Sequence, residues 1–287
     1  VTAEHIEGVP AADAQPVMTL VANGDYWSEL HLAWRDLINS FRDARIWSAL
    51  AMNDIRSRYR GSLLGPLWIT LTTSAFVGGI GLLYAGIMRV PLSEYLPFLA
   101  SGIVIWNLIS GTLIESGDTF SNAAGILKQT AISPIVFVWR TMLRVLINFA
   151  HEVIVILAVL GIFGYIAKTH YLALPLGFAL LVLNLSWMAF LISIASARFR
   201  DVPQVIRALV QFVFFLSPVI WPPGSGRAAV VVAFNPIYYL LDVTRTPLLG
   251  QSPHPTSYVV LTVMALLGGI VAFLVYARVR RRIVHYI

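Results

Sequence analysis

Six stretches of the chain, 66–88, 96–116, 145–165, 171–196, 202–221 and 257–277, are long and apolar enough to cross a bilayer. A hydrocarbon core about 30 Å thick needs about 20 helical residues. No water is available inside it, so every backbone N–H and C=O must be satisfied within the helix itself. These stretches predict an all-α, polytopic membrane protein with six transmembrane helices. The charge content agrees: 12% of residues are charged, against roughly 25% in a soluble domain, and 58% are hydrophobic. So few charges cannot cover a water-soluble globule of this size. That excludes a disordered chain, a coiled coil and an ordinary cytosolic enzyme. A seventh apolar run, 228–241, is cut by Asn235-Pro236 and is too short to span. It reads as a broken external hairpin between spans five and six, since irregular backbone survives at membrane depth only inside protein or beside water.

Six crossings place both termini on one side, and the basic residues choose it. Arg35, Arg42, Arg45, Arg56, Arg58 and Arg60 precede span one; Lys128, Arg140 and Arg144 lie between spans two and three. Arg198, Arg200 and Arg207 follow span four, and Arg278, Arg280, Arg281 and Arg282 form the tail. Only Arg89, Lys168, Arg227 and Arg245 fall on the other side, so sixteen of twenty basic residues share one face. The positive-inside rule makes that face, with both termini, cytoplasmic. The net charge of +6 is then a matter of orientation, and no nucleic-acid partner is expected. Cysteine is absent, which removes disulfides and thiolate chemistry. Residues 1–30 lack a basic start followed by an apolar core, so no cleavable signal peptide is expected.

Three regions follow. Residues 1–27 form a flexible lead-in, 28–65 an interface helix with a basic segment, and 66–287 the six-span membrane domain. Leu30, Trp34, Leu37, Ile38, Phe41 and Ala44 recur at helical spacing after Ser28, a suitable N-cap. Such a helix lies in the cytoplasmic interface with Trp34 and Trp47 at headgroup depth, or packs on a cytosolic partner. Arg56, Arg58 and Arg60 alternate just before span one. They suit a lipid phosphate or diphosphate, which arginine holds bidentately, and equally suit ordinary membrane anchors.

Within the spans each ionisable group is a functional candidate, because leaving it in lipid is costly. Arg140, Arg144, Asn148 and Glu152 recur every four residues, with His151 adjacent, and so form a stripe along one helix face. The stripe lines a polar route or forms a seam in which Glu152 finds a donor on a neighbouring helix. Arg207 and Gln211 are spaced likewise. Asn107, Asn184 and the polar cluster at 70–74 suit helix–helix hydrogen bonds. Phe76, Phe214 and Phe215 lie mid-span, where the interfacial aromatic belt does not account for them. They suit a channel in which sugar rings slide over aromatic faces, or plain core and lipid contact. Tyr84 stands eight residues beyond Phe76, on roughly the same side.

The sequence holds no recognisable enzymatic constellation. His151-Glu152 lacks the second histidine of H-E-x-x-H, since position 155 is Val. No nucleophile elbow, phosphate-binding loop or paired-aspartate metal motif is present. The expectation is therefore no catalytic residues, no metal site and no cofactor in this chain.

Arg58-Tyr59-Arg60-x-Ser62-x-Leu64-Gly65-Pro66-Leu67-Trp68 resembles the approach to span one in permease subunits of ABC exporters for polysaccharides. These are the Wzm-type O-antigen, teichoic-acid and mycobacterial galactan exporters. The segment 122–134, with Ile126-Leu127-Lys128, resembles their cytoplasmic coupling segment, although Gln129 stands where the family often has a second basic residue. Residues 217–222 resemble the end of span five, and 235–249 the external gate before span six. The resemblance covers about residues 28–287. It implies a multi-pass protein of the bacterial cytoplasmic membrane, a homodimer joined to two copies of a separate ATPase that binds ATP and magnesium. The cargo would be a polyprenyl-diphosphate-linked glycan. By the same resemblance Arg56, Arg58 and Arg60 meet its diphosphate, and Phe76, Tyr84, Phe214 and Phe215 line the channel. Ile126, Leu127 and Lys128 dock the ATPase, and Asn235, Pro236, Tyr238 and Tyr239 form the gate. Two rivals stand beside this: an ABC permease for a drug or lipid, and a membrane enzyme on a polyprenyl substrate using Arg140, His151 and Glu152.

Overall fold

The computed structural model describes residues 26–130, 132–223, 230 and 232–287. The lead-in expected over 1–27 lies almost wholly outside the described residues, as do 224–229 and 231, which fall on the expected hairpin. Among the described residues the regular structure is entirely helical: α1 (Tyr26–Arg42), α2 (Ala44–Arg58), α3 (Leu67–Met88), α4 (Leu92–Gly117), α5 (Thr119–Leu127), α6 (Pro134–Ile162), α7 (Ala173–Arg198), α8 (Val202–Leu216), α9 (Pro236–Leu248), α10 (Pro255–Val279) and α11 (Ile283–Tyr286).

Helices α3, α4, α6, α7 and α10 are long and apolar enough to cross a membrane; α8 is apolar but has 15 residues, about 22 Å at helical rise. The fifth expected stretch, 202–221, stops at Leu216 for a local reason. Pro218 drives the residue before it out of the helical region, and Ser217 is extended at φ −96°, ψ 143°. Even so, α8 and its tail run the length of α4. Arg207 bonds Asp118 at one end of α4 (2.7 Å), and the Ile220 carbonyl accepts from Tyr95 Oη at the other (2.7 Å). The third expected stretch, 145–165, begins eleven residues early in the structure, because Pro134 sits at the favoured first position of α6. The arginines that interrupt its apolar pattern are neutralised by other helices.

α4 is the centre of the bundle, packing on α3, α6, α7, α8 and α9. In lipid, apolar burial between helices gains little, so association rests on close approach and interhelical hydrogen bonds. Both are present. Gly102 lets α4 meet the tail of α8, where an added Cβ would stand 2.6 Å from the Val219 carbonyl oxygen, and Gly177 lets α7 press against the Val243 carbonyl of α9. Ser193 Oγ donates to Ser116 O (3.0 Å), and Asn184 Nδ2 to Leu261 O (3.0 Å).

α1 starts at Tyr26, two residues before the expected Ser28 cap. It docks on the chain's own α6 and α10. Asp36 accepts from Tyr276 Oη (2.9 Å) and Arg280 Nε (3.0 Å), and Trp139 Nε1 donates to Ser40 Oγ (3.1 Å). Trp34 meets Phe273 edge-on yet keeps half its surface exposed, and Trp47 turns back to the Ser40 carbonyl (3.0 Å).

Candidate functional site

Two polar regions stand out, both on α4. The first is a groove of about 610 Å³ between α3, α4 and α8. Its walls are Phe76, Trp106, Phe214 and Phe215, and its polar lining includes Thr73, Asn107, Ser110 and Gln211. Trp106 and Phe214 pack with centroids 5.3 Å apart, Phe214 and Phe215 at 5.4 Å. Phe76 is 48% exposed and Phe215 64%. Three of the four expected lining residues thus converge; Tyr84 does not line this groove and instead packs, half-buried, against the core. Trp106 was absent from the expectation, and the available signal was a tryptophan at mid-span, where the interfacial belt does not explain it. Arg207 closes one rim through its ion pair with Asp118 (2.7 Å).

The second region is a knot of alternating charge joining α2, α4 and α6. Arg140 grips both oxygens of Asp54, Nε at 2.7 Å and Nη2 at 2.5 Å. Arg144 Nη1 reaches Asp54 (2.8 Å), while its Nε and Nη2 reach Glu115 (2.7 and 2.6 Å). Arg58 ends the chain against Glu115 at 3.5 Å. Partial burial raises the Asp54 pKa, but the hydrogen bonds and charges of Arg140 and Arg144 outweigh it and hold the carboxyl below its ordinary value. Arg56, Arg58 and Arg60 are all exposed, on the last turn of α2 and the turn after it. There Gly61 (φ 79°) and Gly65 (φ 54°) take left-handed backbone, a conformation that suits glycine, and Ser62 Oγ accepts from Gly65 N (3.0 Å). The glycines of the basic motif therefore serve the turn that aims it.

Further along α6 the stripe continues as a seam. Glu152 is 7% exposed and accepts from Asn107 Nδ2 (2.9 Å); His151 Nδ1 lies 2.8 Å from the Ile147 carbonyl, and Thr70 Oγ1 donates to the His151 carbonyl (2.8 Å). Arg140, His151 and Glu152 thus engage three different partners and form no common centre.

α5 carries the expected coupling residues. Leu127 is buried with Phe120 and Ala123 and holds the helix to the bundle, leaving Lys128 exposed and Ile126 half-exposed. At the opposite end Asn235 caps α9, accepting from Ile237 N (2.9 Å), and its Nδ2 donates to Ser217 Oγ (2.9 Å). Pro236 follows in the first turn, Tyr239 Oη donates to Ala233 O (2.6 Å), and Tyr238 faces a cavity of about 800 Å³. α9 ends within the expected gate segment 235–249 and is anchored by two buried charges, Arg245 and Asp242, of which Asp242 was not singled out in the sequence. Asp242 accepts from Thr246 Oγ1 (2.8 Å), His254 N (3.0 Å) and Ser257 Oγ (2.5 Å). Arg245 donates to Pro218 O (2.7 Å) and lies over the Phe98 ring at 4.0 Å.

Residues 45–249 match the family model of the ABC-2 type transporter. Curated relatives agree at low identity. The O-antigen export system permease protein RfbA of Myxococcus xanthus is 21% identical over 197 residues, covering 67% of this chain and 76% of its own. The polysialic acid transport protein KpsM of Escherichia coli is 23% identical over 206 residues, 69% and 78% of the two chains. RfbA of Klebsiella pneumoniae is 23% identical over 190 residues, 64% and 72%.

Proposed function

The chain belongs to the ABC-2 type transporter family, and from that premise we propose that it is the membrane subunit of an exporter for a lipid-diphosphate-linked cell-envelope polysaccharide. One observation carries the choice of cargo: Phe76, far in sequence from the adjacent pair Phe214 and Phe215, meets them and Trp106 around one open groove. Aromatic faces let a sugar chain stack weakly and slide, while Asn107, Ser110 and Gln211 offer hydrogen bonds to its hydroxyls. Its relatives, an O-antigen export permease and a polysialic acid transport protein, point to the same class of cargo.

In this reading α8 counts as the fifth of six crossings, which leaves both termini in the cytoplasm. Two copies of the chain enclose the channel between their α3 and α8 faces. The carrier diphosphate arrives at Arg56 and Arg60, with Arg58 shared between it and Glu115. Two copies of a separate ATPase, holding ATP and magnesium, press on the exposed side of α5 around Lys128. Because α5 is anchored to α6 through Thr119 Oγ1 and Thr141 Oγ1 (3.0 Å), a push there reaches the α4–α6 pair and re-spaces the groove. ATP hydrolysis is the partner's chemistry; this chain supplies the path and the gate.

The test is to co-express the chain with an ATPase subunit of the same transporter family and reconstitute the complex in lipid. Arg58→Ala with Arg60→Ala is expected to abolish stimulation of ATP hydrolysis by a polyprenyl-diphosphate-linked oligosaccharide while the complex still assembles. A chain that purifies without any ATPase, or stimulation untouched by the double substitution, overturns the reading.

A further inference from the structure

Glu152 is a buried carboxylate that the transport route does not use. It lies ten residues from the α6 terminus at Ile162, about 15 Å along the helix, which is half of a hydrocarbon core about 30 Å thick. Among the described residues it takes part in no ion pair. The groups facing it are neutral: Asn107 from α4 and, from α3, Thr73, with Thr70 directed to the next carbonyl along. His151 turns its ring back to Ile147 O. Arg140 and Arg144 are two to three turns away and already hold Asp54 and Glu115. α7 brings only Arg198, at its far end, and α1, α2 and α5 meet the early turns of α6. A lone charge in such a place is costly.

A second observation concerns space. A cavity of about 110 Å³ runs between α3, α4 and α6, lined by Asn107, Gly111, Glu115, Asn148 and Glu152. Waters occupying about 30 Å³ each would make a file of three or four in that volume. Asn148 Oδ1, in its wall, is buried with no hydrogen-bond partner among the described residues, a position that calls for a water donor. From Glu115 to Asn107 is eight residues, about 12 Å of helix, so the cavity joins the charge knot to the mid-membrane carboxylate. Asn107 lines both this cavity and the aromatic groove.

We propose that Glu152 is a proton-binding site, filled by water from the Glu115 end of the cavity and linked to the groove through the Asn107 amide. The proton enters and leaves as a hydrated ion, with the carboxylate as its only acceptor and no co-reactant. Anything that turns the Asn107 amide from the groove side, a sugar hydroxyl included, changes the hydrogen bonding of Glu152.

Infrared spectroscopy of the full-length chain in lipid nanodiscs, titrated from about pH 5 to about pH 9, tests this. The expected signal is a protonated-carboxyl stretch that titrates, shifts in heavy water and is lost in Glu152→Gln. Asn148→Leu, which fills the cavity, should slow its deuterium exchange. Should Glu152→Gln fail to assemble, Glu152→Asp is expected to displace the band rather than remove it. A band absent at every pH, unchanged in both carboxyl variants, or present only when sodium is withheld overturns the assignment. The measurement needs neither ATP nor glycan, so its outcome is separate from that of the export reading.

Discussion

The charge knot and the aromatic groove share α4 yet are built on opposite plans. In the knot, Arg140, Asp54, Arg144 and Glu115 use one another, with Arg58 exposed at the edge, and the two inner arginines have side chains only 15% and 10% exposed. In the groove Phe76 and Phe215 are half in the open over the buried Trp106, polar side chains face empty space, and the Arg207–Asp118 ion pair sits on the rim. The difference separates what holds the bundle together from what is left available to a ligand. Polar side chains that satisfy each other rigidify a structure; those facing an open groove remain free to bind. Substitutions in the two regions should therefore part company, the knot losing stability and the groove losing transport.

Arg144→Leu should have the largest effect. It leaves Asp54 with one arginine and Glu115 with only the distant Arg58. Breaking a buried pair costs about 3–5 kcal/mol, and the residual exposure of both carboxylates puts this case near about 3 kcal/mol. Thermal unfolding in lipid nanodiscs measures it; a stability equal to wild type would erase the contrast at its strongest point. Asp54→Asn follows, at about 2 kcal/mol near neutral pH for charge-assisted hydrogen bonds lost. Its pH dependence fixes the cause. The Asp54 pKa is lower in the folded protein than in the unfolded chain. Its contribution is therefore complete above the unfolded value and is lost as pH falls through the folded one. The gap between wild type and Asp54→Asn should start to narrow below about pH 4 and close only below the folded pKa; a gap that does not narrow as pH falls would assign the loss to packing instead.

The contrast was only half visible in the sequence. The four-residue stripe from Arg140 to Glu152 placed these groups on one helix face, and a seam was one of its two readings. Their partners were out of reach, because Asp54 lies 86 residues from Arg140 and no local spacing links them. The same hidden neutralisation explains why α6 begins at Pro134, where hydropathy stops at the arginines. Span positions on α3, α7 and α10 were legible within a few residues because lipid imposes length and apolarity directly. The groove was legible in Phe76, Phe214 and Phe215, whose mid-span placement lacked another explanation. Trp106 carried the same mid-span signal, but it sits in an apolar run whose inward and outward faces look alike, so nothing tied it to the three phenylalanines. Asp242 and Arg245 carried no periodic signal at all; the seating of α9 against α4, the start of α10 and the tail of α8 buries them.

The groove side of the comparison is sharpened by Phe214→Ala. Phe214 packs on Trp106 at 5.3 Å but is only partly buried. Its removal should cost about 1 kcal/mol, the scale of an aromatic pair, while export by the reconstituted complex falls several-fold. Adding Phe76→Ala should deepen the transport loss without a matching loss of stability. If melting temperature and export fell together, the rings would belong to the same class as the knot.

Arg207→Gln is the smallest change and the most discriminating. Arg207 and Asp118 form a short pair (2.7 Å), as good in distance as those of the knot, but their side chains are 44% and 39% exposed. Exposed pairs contribute about 0–1 kcal/mol, because solvent screens the attraction and two long side chains must be held in one geometry. Stability should therefore move by less than about 1 kcal/mol, despite geometry matching that of Arg144. The groove, however, loses the one cation that lines it among the described residues, since Arg207 stands beside Gln211 and Phe214. An anionic cargo segment passing the rim would register the loss as slower export that added salt reproduces in the wild type. A stability loss as large as that of Arg144→Leu would mean that hydrogen-bond geometry, and not burial, sets the strength of these pairs.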